Sequence, residues 1–176
     1  TNGGKILIGG NGGSMADSEH IVGELMKSFV KKRNIATNVS EQLKKIDAEH
    51  GEKLASLLQG ALPAIALTGH NALSTAFLND VDPTLCYAQQ VYGYGKAGDT
   101  LIAISTSGNA ENLVNAAITA KAMGMKVLLL SGKDGGKLKK YVDLSVIVPE
   151  KETYKIQELH LPIYHALCLM LEDKFF

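Results

Sequence analysis

Hydrophobic residues in this chain follow two alternating patterns. Short apolar runs rich in Ile, Val and Leu are bounded by Gly, Asp or Pro, and each is too short for a helix, so they predict buried strands. These strands are predicted at Lys5–Ile8, Ala64–Thr68, Thr100–Ser105, Lys126–Ser131 and Leu144–Val148. Segments with helical spacing separate them, at Ser14–Phe29, Ser40–Gln59, Asn71–Gly93 with a break at Pro83, Glu111–Met123 and Tyr154–Lys174.

This alternation of strands and helices predicts an α/β fold with a doubly wound parallel sheet. No internal repeat or low-complexity tract argues for a second domain, so residues 1–176 are predicted to form one domain. The polar segment Lys31–Gly60 carries apolar residues at near-helical spacing, which predicts an amphipathic helix packed on the domain or on another subunit. Those apolar residues are Leu43, Ile46, Leu54, Leu57 and Leu58.

Composition narrows the functional classes. The 176 residues include 18 basic and 18 acidic ones, so no large positive field would gather nucleic acid or an anionic membrane. The two cysteines, Cys86 and Cys168, form no CxxC pair and fit a reducing compartment. No apolar run approaches the roughly 20 residues that span a bilayer, and the start at Thr1 shows no signal peptide. These features predict a cytoplasmic protein.

Polar and glycine-rich loops follow three of the predicted strands, where parallel sheets bind their ligands. The loop Ser105–Asn109 offers three hydroxyls and a glycine before a helix, which suits an anion, or it is an ordinary N-cap cluster. In either case Ser107 or Asn109 is the predicted cap of the helix. The loop Gly9–Ser14 is neither a GxGxxG fingerprint nor a Walker loop, and alone it could be a tight turn. We interpret Gly132–Gly136 as a plain connection.

Two helices carry candidate chemistry. His20 and Glu24 lie four residues apart and therefore share a helix face, a spacing that suits a divalent metal but is also common in surface charge patterning. Asp17, one turn earlier, is a candidate to orient His20. In the last helix, Gln157 and His165 are eight residues apart, about 12 Å along the axis, which favours a site that pools residues from two subunits. His160, in the same helix, is predicted to be a satisfied core or interface residue.

Four motifs in order, GGNGGS, STSGN, SGKDGG and IQELH with the later His165, resemble the SIS (sugar isomerase) domain family, and within it the phosphoheptose isomerases most. The resemblance covers nearly the whole chain. It implies a flavodoxin-like sandwich with a five-stranded parallel sheet, a homotetramer with active sites at its interfaces, and helices that would precede Thr1. It also implies zinc held by His20, Glu24, Gln157 and His165, with Glu24 and His165 as the acid/base pair. The implied substrate contacts are Asn11, Gly12, Gly13, Ser14, Glu24, Ser105, Thr106, Ser107, Asn109 and Gln157.

The activity implied by this resemblance is the interconversion of sedoheptulose 7-phosphate and D-glycero-D-manno-heptose 7-phosphate through an enediol. Three departures leave the sugar open: Ala110 replaces a serine, an acidic residue is missing near His70, and Tyr154 stands where an acidic residue is expected. One alternative is an isomerase for another C5 to C7 sugar phosphate. Another is a noncatalytic SIS module that binds a sugar phosphate or a protein partner.

Overall fold

The computed structural model describes residues 3–176 and contains a five-stranded, fully parallel sheet in the order β2-β1-β3-β4-β5. The strands are β1 Ile6–Gly10, β2 Ala64–Ala66, β3 Thr100–Ser105, β4 Lys126–Ser131 and β5 Leu144–Ile147. This order is that of a flavodoxin-like doubly wound sheet, so the predicted fold class is confirmed. All five strands lie where the short apolar runs predicted them: β3 and β4 have the predicted ends, and the ends of the other three differ by at most two residues.

Seven α-helices connect and follow these strands within the described residues. They are α1 Gly13–Met26, α2 Thr37–Ile46, α3 Ala48–Leu57, α4 Asn71–Asp80, α5 Cys86–Tyr94, α6 Glu111–Ala122 and α7 Thr153–Phe175, and a short 3-10 helix spans Lys137–Tyr141. The predicted break at Pro83 is confirmed, since it falls between α4 and α5. None of the helices in this part of the chain combines the length and hydropathy of a bilayer-spanning segment.

The sheet buries a separate apolar core on each face, which makes the fold a three-layer sandwich. One core joins Leu7, Leu101 and Leu129 of the sheet to α5 and α6. The other joins the alternate residues of the same strands to α1 and α7, through Ile21, Leu25, Tyr164 and Cys168 among others. The side chains of a strand point to opposite faces in turn, so continuous apolar runs are needed to fill both cores. Consequently α1 and α7 lie side by side on one face of the sheet.

The single helix predicted at Ser40–Gln59 is wrong, because two helices, α2 and α3, occupy this segment. The break falls at Asp47, whose carboxylate accepts the backbone N–H of His50 at 2.7 Å and thereby caps α3. The apolar residues are amphipathically placed, as predicted, but they cover little of the domain: Ile46 is 82% and Leu57 66% exposed. Gly51 packs against the backbone of Leu43 at the point where the two helices meet.

Candidate active site

Two loops at the carboxyl edge of the sheet form an open cleft of about 360 Å³, which is within the range of small-ligand sites. The first loop leads from β1 into α1, and the second leads from β3 into α6. The cleft is lined by Asn11, Gly12, Gly13, Ser14, Ile104, Ser105, Thr106, Ser107, Ala110, Thr153 and Gln157. The structure therefore brings together the two loops that the sequence singled out. Thr153 is an addition that the sequence reasoning missed.

Backbone donors and hydroxyls in this cleft suit an anion. The backbone N–H groups of Gly12 and Ser107 donate no hydrogen bond to other described residues, and Thr106 and Ser107 are half-buried. Gly12 has a φ of 58°, a conformation that favours glycine, and it directly precedes the N-terminus of α1. Free N–H groups at the start of a helix are a common phosphate site.

Several predicted contacts in these loops are already engaged with the protein. Ser105 is buried, and its hydroxyl accepts the Gly108 N–H at 3.1 Å. The Asn11 amide forms a reciprocal pair with the Asn112 amide, with both hydrogen bonds 3.0 Å long. Such groups shape the cleft through their own hydrogen bonds.

Asn109 does not line the cleft. Its amide oxygen accepts the Lys137 N–H at 3.0 Å and its amide nitrogen donates to the Ser107 carbonyl at 2.9 Å. The predicted cap of α6 by Ser107 or Asn109 is also wrong, because the capping position is Ala110 and no side chain caps the helix. Asn109 instead ties the loop to the turn Gly132–Gly136, so that turn is more than a connection.

The turn Gly132–Gly136 packs directly under the loop that follows β3. Gly108 has a φ of 65°, and a Cβ atom at this position would collide with the backbone of Gly135. Gly136 has a φ of 53°, and a Cβ atom there would lie 2.5 Å from the Ser107 carbonyl oxygen. Only glycine combines this backbone conformation with such close approach. The close contact between these glycines thus fixes the position of the loop that carries Thr106 and Ser107.

A second group of polar side chains lies further along α1 and α7. The two helices start at the same edge of the sheet and run in the same direction, with Gly13 beside Gln157 and His20 beside Tyr164 and His165. His20 Nε2 lies 3.2 Å from Glu24 Oε1, and the rings of His20 and His165 contact edge to face with centroids 5.1 Å apart. His20, Glu24 and His165 therefore form one cluster.

Gln157 does not join this cluster within a single chain. Its amide lies against Gly13 in the cleft, so close that a Cβ atom on Gly13 would sit 2.5 Å from Gln157 Nε2. Gln157 precedes His165 by two helical turns, about 12 Å along the axis of α7. This placement agrees with the expectation that Gln157 and His165 of one subunit do not readily reach the same ion.

Polar atoms without partners are concentrated between α1 and α7. Among the described residues, the buried side-chain atoms without a hydrogen-bond partner are Asp17 Oδ2, Gln90 Oε1, both ring nitrogens of His160 and His165 Nε2. All except the Gln90 atom belong to these two helices. Because buried polar atoms normally find partners, such a concentration marks a place where a ligand, ion or water completes the structure.

Burial shifts the ionisation of this region. It raises the pKa of Asp17, although the Tyr164 hydrogen bond and the nearby histidines oppose the shift. Burial likewise raises the pKa of the Tyr164 phenol, and the Asp17 charge adds to this effect. It lowers the pKa of the fully buried His160, although a contact with the Ser131 backbone and the charge of Asp17 oppose the shift. These groups therefore form a desolvated polar layer beside His20.

The cluster has donor atoms that suit a divalent metal. Among residues 3–176 no three His, Cys, Asp or Glu side chains already stand in metal-binding arrangement. However, the unpartnered Nε2 of His165 and the close approach of His20 Nε2 to Glu24 Oε1 supply imidazole and carboxylate donors at one place. Imidazole nitrogen and carboxylate oxygen are ordinary zinc ligands, so the residues present fit such an ion.

A buried ion pair fixes the far end of the cluster. Arg33 donates to Glu172 at 2.7 Å and to the carbonyls of Leu25 and Glu24 at 2.8 and 3.0 Å, which holds the C-terminus of α1. Burial opposes ionisation of Glu172, but three backbone N–H groups, at Phe29, Lys31 and Val30, and Arg33 outweigh it and lower its pKa to about 2. Neither residue was singled out from the sequence.

A family model identifies the class of protein to which this fold and these two loops belong. The family model described as "SIS domain" matches residues 45–132, half of the chain, a stretch that includes the loop after β3. That stretch excludes both α1 and α7, so the match by itself concerns the fold and one loop of the cleft.

Relatives of higher similarity extend over the helices that carry the cluster. A phosphoheptose isomerase from Nitratiruptor is 39% identical over 171 residues, 97% of this chain and 78% of the relative. Solved structures of phosphoheptose isomerases from Francisella tularensis and Neisseria gonorrhoeae are each 33% identical, with TM-scores of 0.79 and 0.77. Each comparison covers 98% of this chain and 78% of the other. The chain belongs to the phosphoheptose isomerase family.

Proposed function

We propose that this protein is an aldose-ketose isomerase that interconverts sedoheptulose 7-phosphate and D-glycero-D-manno-heptose 7-phosphate. The observation that carries this proposal is the cluster of His20, Glu24 and His165 on two parallel helices that both start at the cleft. Such a reaction requires a site for the phosphate and, beside it, side chains that can act as acid, base and metal ligand. Membership of the phosphoheptose isomerase family agrees with this substrate.

Glu24 and His165 act as the acid/base pair in this proposal. Isomerisation through an enediol needs a base that takes the proton from the carbon beside the carbonyl and an acid that protonates the carbonyl oxygen. The enediol then takes up a proton at the former carbonyl carbon and loses the proton of the hydroxyl on the other carbon, so that the carbonyl has moved by one position. Glu24 is mostly buried and His165 is half-buried, so both side chains are partly shielded from water.

His20, Glu24, His165 and Gln157 are the proposed ligands of a zinc ion. When bound, zinc would supply positive charge that stabilises the developing enediolate oxygens. Glu24 cannot be a tight ligand and a free base at once. Its two carboxylate oxygens face different partners, His20 Nε2 at 3.2 Å and Lys27 Nζ at 3.5 Å. We infer that Glu24 binds loosely and shifts between the two roles during turnover.

The proposed assembly is a homotetramer in which a neighbouring subunit completes the site. Gln157 is separated along its own chain from the other three proposed ligands, and His165 Nε2 has no hydrogen-bond partner among residues 3–176. A second subunit that places its polar groups against the α1/α7 layer would resolve both features. A metal-loaded and active monomer would contradict this part of the proposal.

The identity of the sugar rests on the cleft. Of the three departures noted in the sequence, only Ala110 lines it. His70 lies near Tyr94, with Nε2 3.5 Å from the phenol, and Tyr154 is 57% exposed at the start of α7. Ala110 lacks the hydroxyl of the serine that it replaces, so it offers one hydrogen bond fewer to a bound sugar phosphate.

A substrate panel measured with and without a chelator tests the proposal. The purified protein is assayed with ketose phosphates of five, six and seven carbons, and its zinc content is measured in parallel. We expect turnover of the seven-carbon substrate that is lost with the chelator and restored by zinc. Turnover of a shorter sugar alone would change the proposed substrate. Phosphate binding without turnover of any sugar would favour a noncatalytic SIS module.

A further inference from the structure

Tyr164 lies between the two helices and connects a buried carboxylate to the proposed metal site. Its hydroxyl is 2.9 Å from His20 Nδ1 and 3.3 Å from Asp17 Oδ1. The side chain is almost completely buried, with 2% of its surface exposed. The hydroxyl therefore has two polar neighbours and no competing solvent.

The direction of the hydrogen bonds follows from the number of protons. An ionised carboxylate only accepts hydrogen bonds, so the single Tyr164 proton is donated to Asp17. The Tyr164 oxygen is then free to accept, and His20 Nδ1, 2.9 Å away, is placed to donate to it when its proton is on that nitrogen. A neutral His20 that carries its proton on Nδ1 has its lone pair on Nε2, the nitrogen that lies 3.2 Å from Glu24 Oε1.

Tyr164 also restricts the orientation of both histidine rings. Its ring contacts His20 at a centroid distance of 5.5 Å and His165 at 5.0 Å, and both contacts are edge to face. Because the tyrosine is packed in the core between α1, α7 and the sheet, it holds these rings against a rigid surface. Metal ligands usually depend on such neighbours for their orientation and their tautomer.

We propose that Tyr164 is a positioning residue for His20, and that the chain Asp17–Tyr164–His20 keeps the Nε2 lone pair of His20 available for zinc. The proposal rests on the proposed function, because it assumes that His20 is a metal ligand. It assigns a role to a residue that contacts neither substrate nor metal. The role of Asp17 becomes indirect: it orients the phenol, and the phenol orients the imidazole.

The test is Tyr164→Phe, which keeps the packed ring and removes the hydroxyl. We expect zinc affinity, measured by competition with a chelating indicator, to fall roughly 10- to 100-fold, the usual effect of losing such a partner. In the zinc-loaded wild type, NMR of protein with 15N-labelled histidine should show a protected His20 Nδ1 proton that is absent in Tyr164→Phe.

The matched control is Tyr87→Phe. Tyr87 is also buried, and its hydroxyl donates to the Gly10 carbonyl at 2.6 Å, so this variant loses an equivalent buried hydrogen bond elsewhere. It should lose stability without a change in zinc affinity or in the His20 signal. If Tyr164→Phe does not fold, Asp17→Ala breaks the same chain from its other end and should weaken zinc binding in the same direction.

The outcomes separate this proposal from the proposed function. Zinc binding by Tyr164→Phe with wild-type affinity and an unchanged His20 signal would overturn the positioning role. If the wild type itself binds no zinc, the proposed metal site is wrong. In that case the His20 tautomer is measured in metal-free protein, at a pH where His20 is neutral. A proton on Nδ1 in the wild type that is lost in Tyr164→Phe supports the positioning role. A proton on Nε2 in the wild type overturns it.

Discussion

Individual side chains in this protein serve two different purposes at the cleft and the cluster. Residues such as Ser105 and Asn109 use their polar atoms to hold the loops in place. His165 keeps a buried ring nitrogen that has no partner in the described part of the chain, and Glu24 divides its carboxylate between two neighbours. Side chains with unused capacity are candidates for chemistry, because a purely structural residue would have its polar atoms satisfied.

Removal of either acid/base group should stop the reaction. Glu24→Gln and His165→Ala should each lower kcat by at least about 100-fold, in line with the contribution of a positioned acid or base. The cleft lies two turns away, so phosphate binding and the melting temperature should change little. Steady-state kinetics and a phosphate titration measure these effects, and turnover retained by both variants would contradict the assignment.

Gly13→Ala should impair activity through Gln157. The backbone of Gly13 tolerates alanine, but the added methyl would meet the Gln157 amide at 2.5 Å and displace it. We expect kcat/KM to fall on the order of 10- to 100-fold, as small misplacements in a site often do. Gly93→Ala is the control, because a Cβ atom there meets nothing within 4 Å. Equal kinetics for both variants would show that Gln157 does not act in the cleft.

At the scale of elements, α1 and α7 are joined by a buried ion pair at the end opposite the cleft. Arg33 and Glu172 are 0% and 2% exposed at their side chains, and Glu172 also accepts three backbone N–H groups from the segment after α1. This pair sets the distance between the helix that carries His20 and Glu24 and the helix that carries His165. It therefore stabilises the geometry of the cluster as well as the fold.

Glu172→Gln should destabilise the protein by about 3–5 kcal/mol at neutral pH, because Arg33 would remain buried without its counter-charge. The pKa of Glu172 is lowered to about 2 from an ordinary 4.5. A lowered folded pKa stabilises the protein above the unfolded value, and this stabilisation is lost as the pH falls from about 4.5 towards 2. The difference in unfolding free energy between wild type and variant should shrink over that window in urea titrations.

Asp173→Asn is the matched control for this prediction. Asp173 is the next residue on α7, and its carboxylate pairs with Lys31 at 2.6 Å but is 78% exposed. An exposed ion pair contributes about 0–1 kcal/mol, so this variant should unfold almost as the wild type does. A loss as large as that of Glu172→Gln would indicate that charge on α7, rather than the buried pair, matters.

Glycine to alanine substitutions should have opposite effects on stability in α3 and in α1. Gly51→Ala would push a methyl into the backbone of Leu43 and separate α2 from α3, and hydrogen exchange should then accelerate in residues 37–57. Gly23→Ala, in open space on α1, should instead stabilise the protein by about 1 kcal/mol through helix propensity. Exchange rates and urea unfolding measure the two effects. A stabilising Gly51→Ala would contradict the observed packing.

The sequence predicted the elements better than their long-range contacts. Apolar runs and turn residues locate all five strands because each pattern is local. The break between α2 and α3 at Asp47 is marked by no Gly or Pro. An aspartate is nevertheless a common N-cap residue, and the Asp47 carboxylate accepts the backbone N–H of His50 three positions later. The Arg33–Glu172 pair spans 139 positions, so only the folded chain reveals it.

For the site, the motifs located both loops and the cluster on α1 and α7. They did not reveal Tyr164, although a tyrosine in an apolar helix requires a partner for its hydroxyl and stands directly beside His165. They also did not show that Gln157 lies with the cleft. Both facts depend on how two helices align, which the local sequence does not encode.

At the scale of the whole molecule, shared active sites can be tested by mixing inactive variants. Glu24→Gln and Gln157→Ala disable the two separate parts of the site. If each site takes these parts from different subunits, co-expressed chains should regain about a quarter of the wild-type activity, because random assembly leaves that fraction of sites intact. Activity that stays at the level of the separate variants would mean that one chain supplies the whole site.

The unpartnered polar atoms between α1 and α7 have a consequence for how such proteins diverge. His160 and His165 keep buried nitrogens that apolar side chains of similar size would not have, so this layer lowers the stability of the protein without its ligand. Selection for the proposed reaction would keep His165, which is a proposed acid/base residue and metal ligand. In a lineage that gave up catalysis, these positions would be free to become leucine or phenylalanine, and stability would favour that change. Apolar residues at positions 160 and 165 would therefore be the mark of a descendant that keeps the cleft but no longer transforms the sugar.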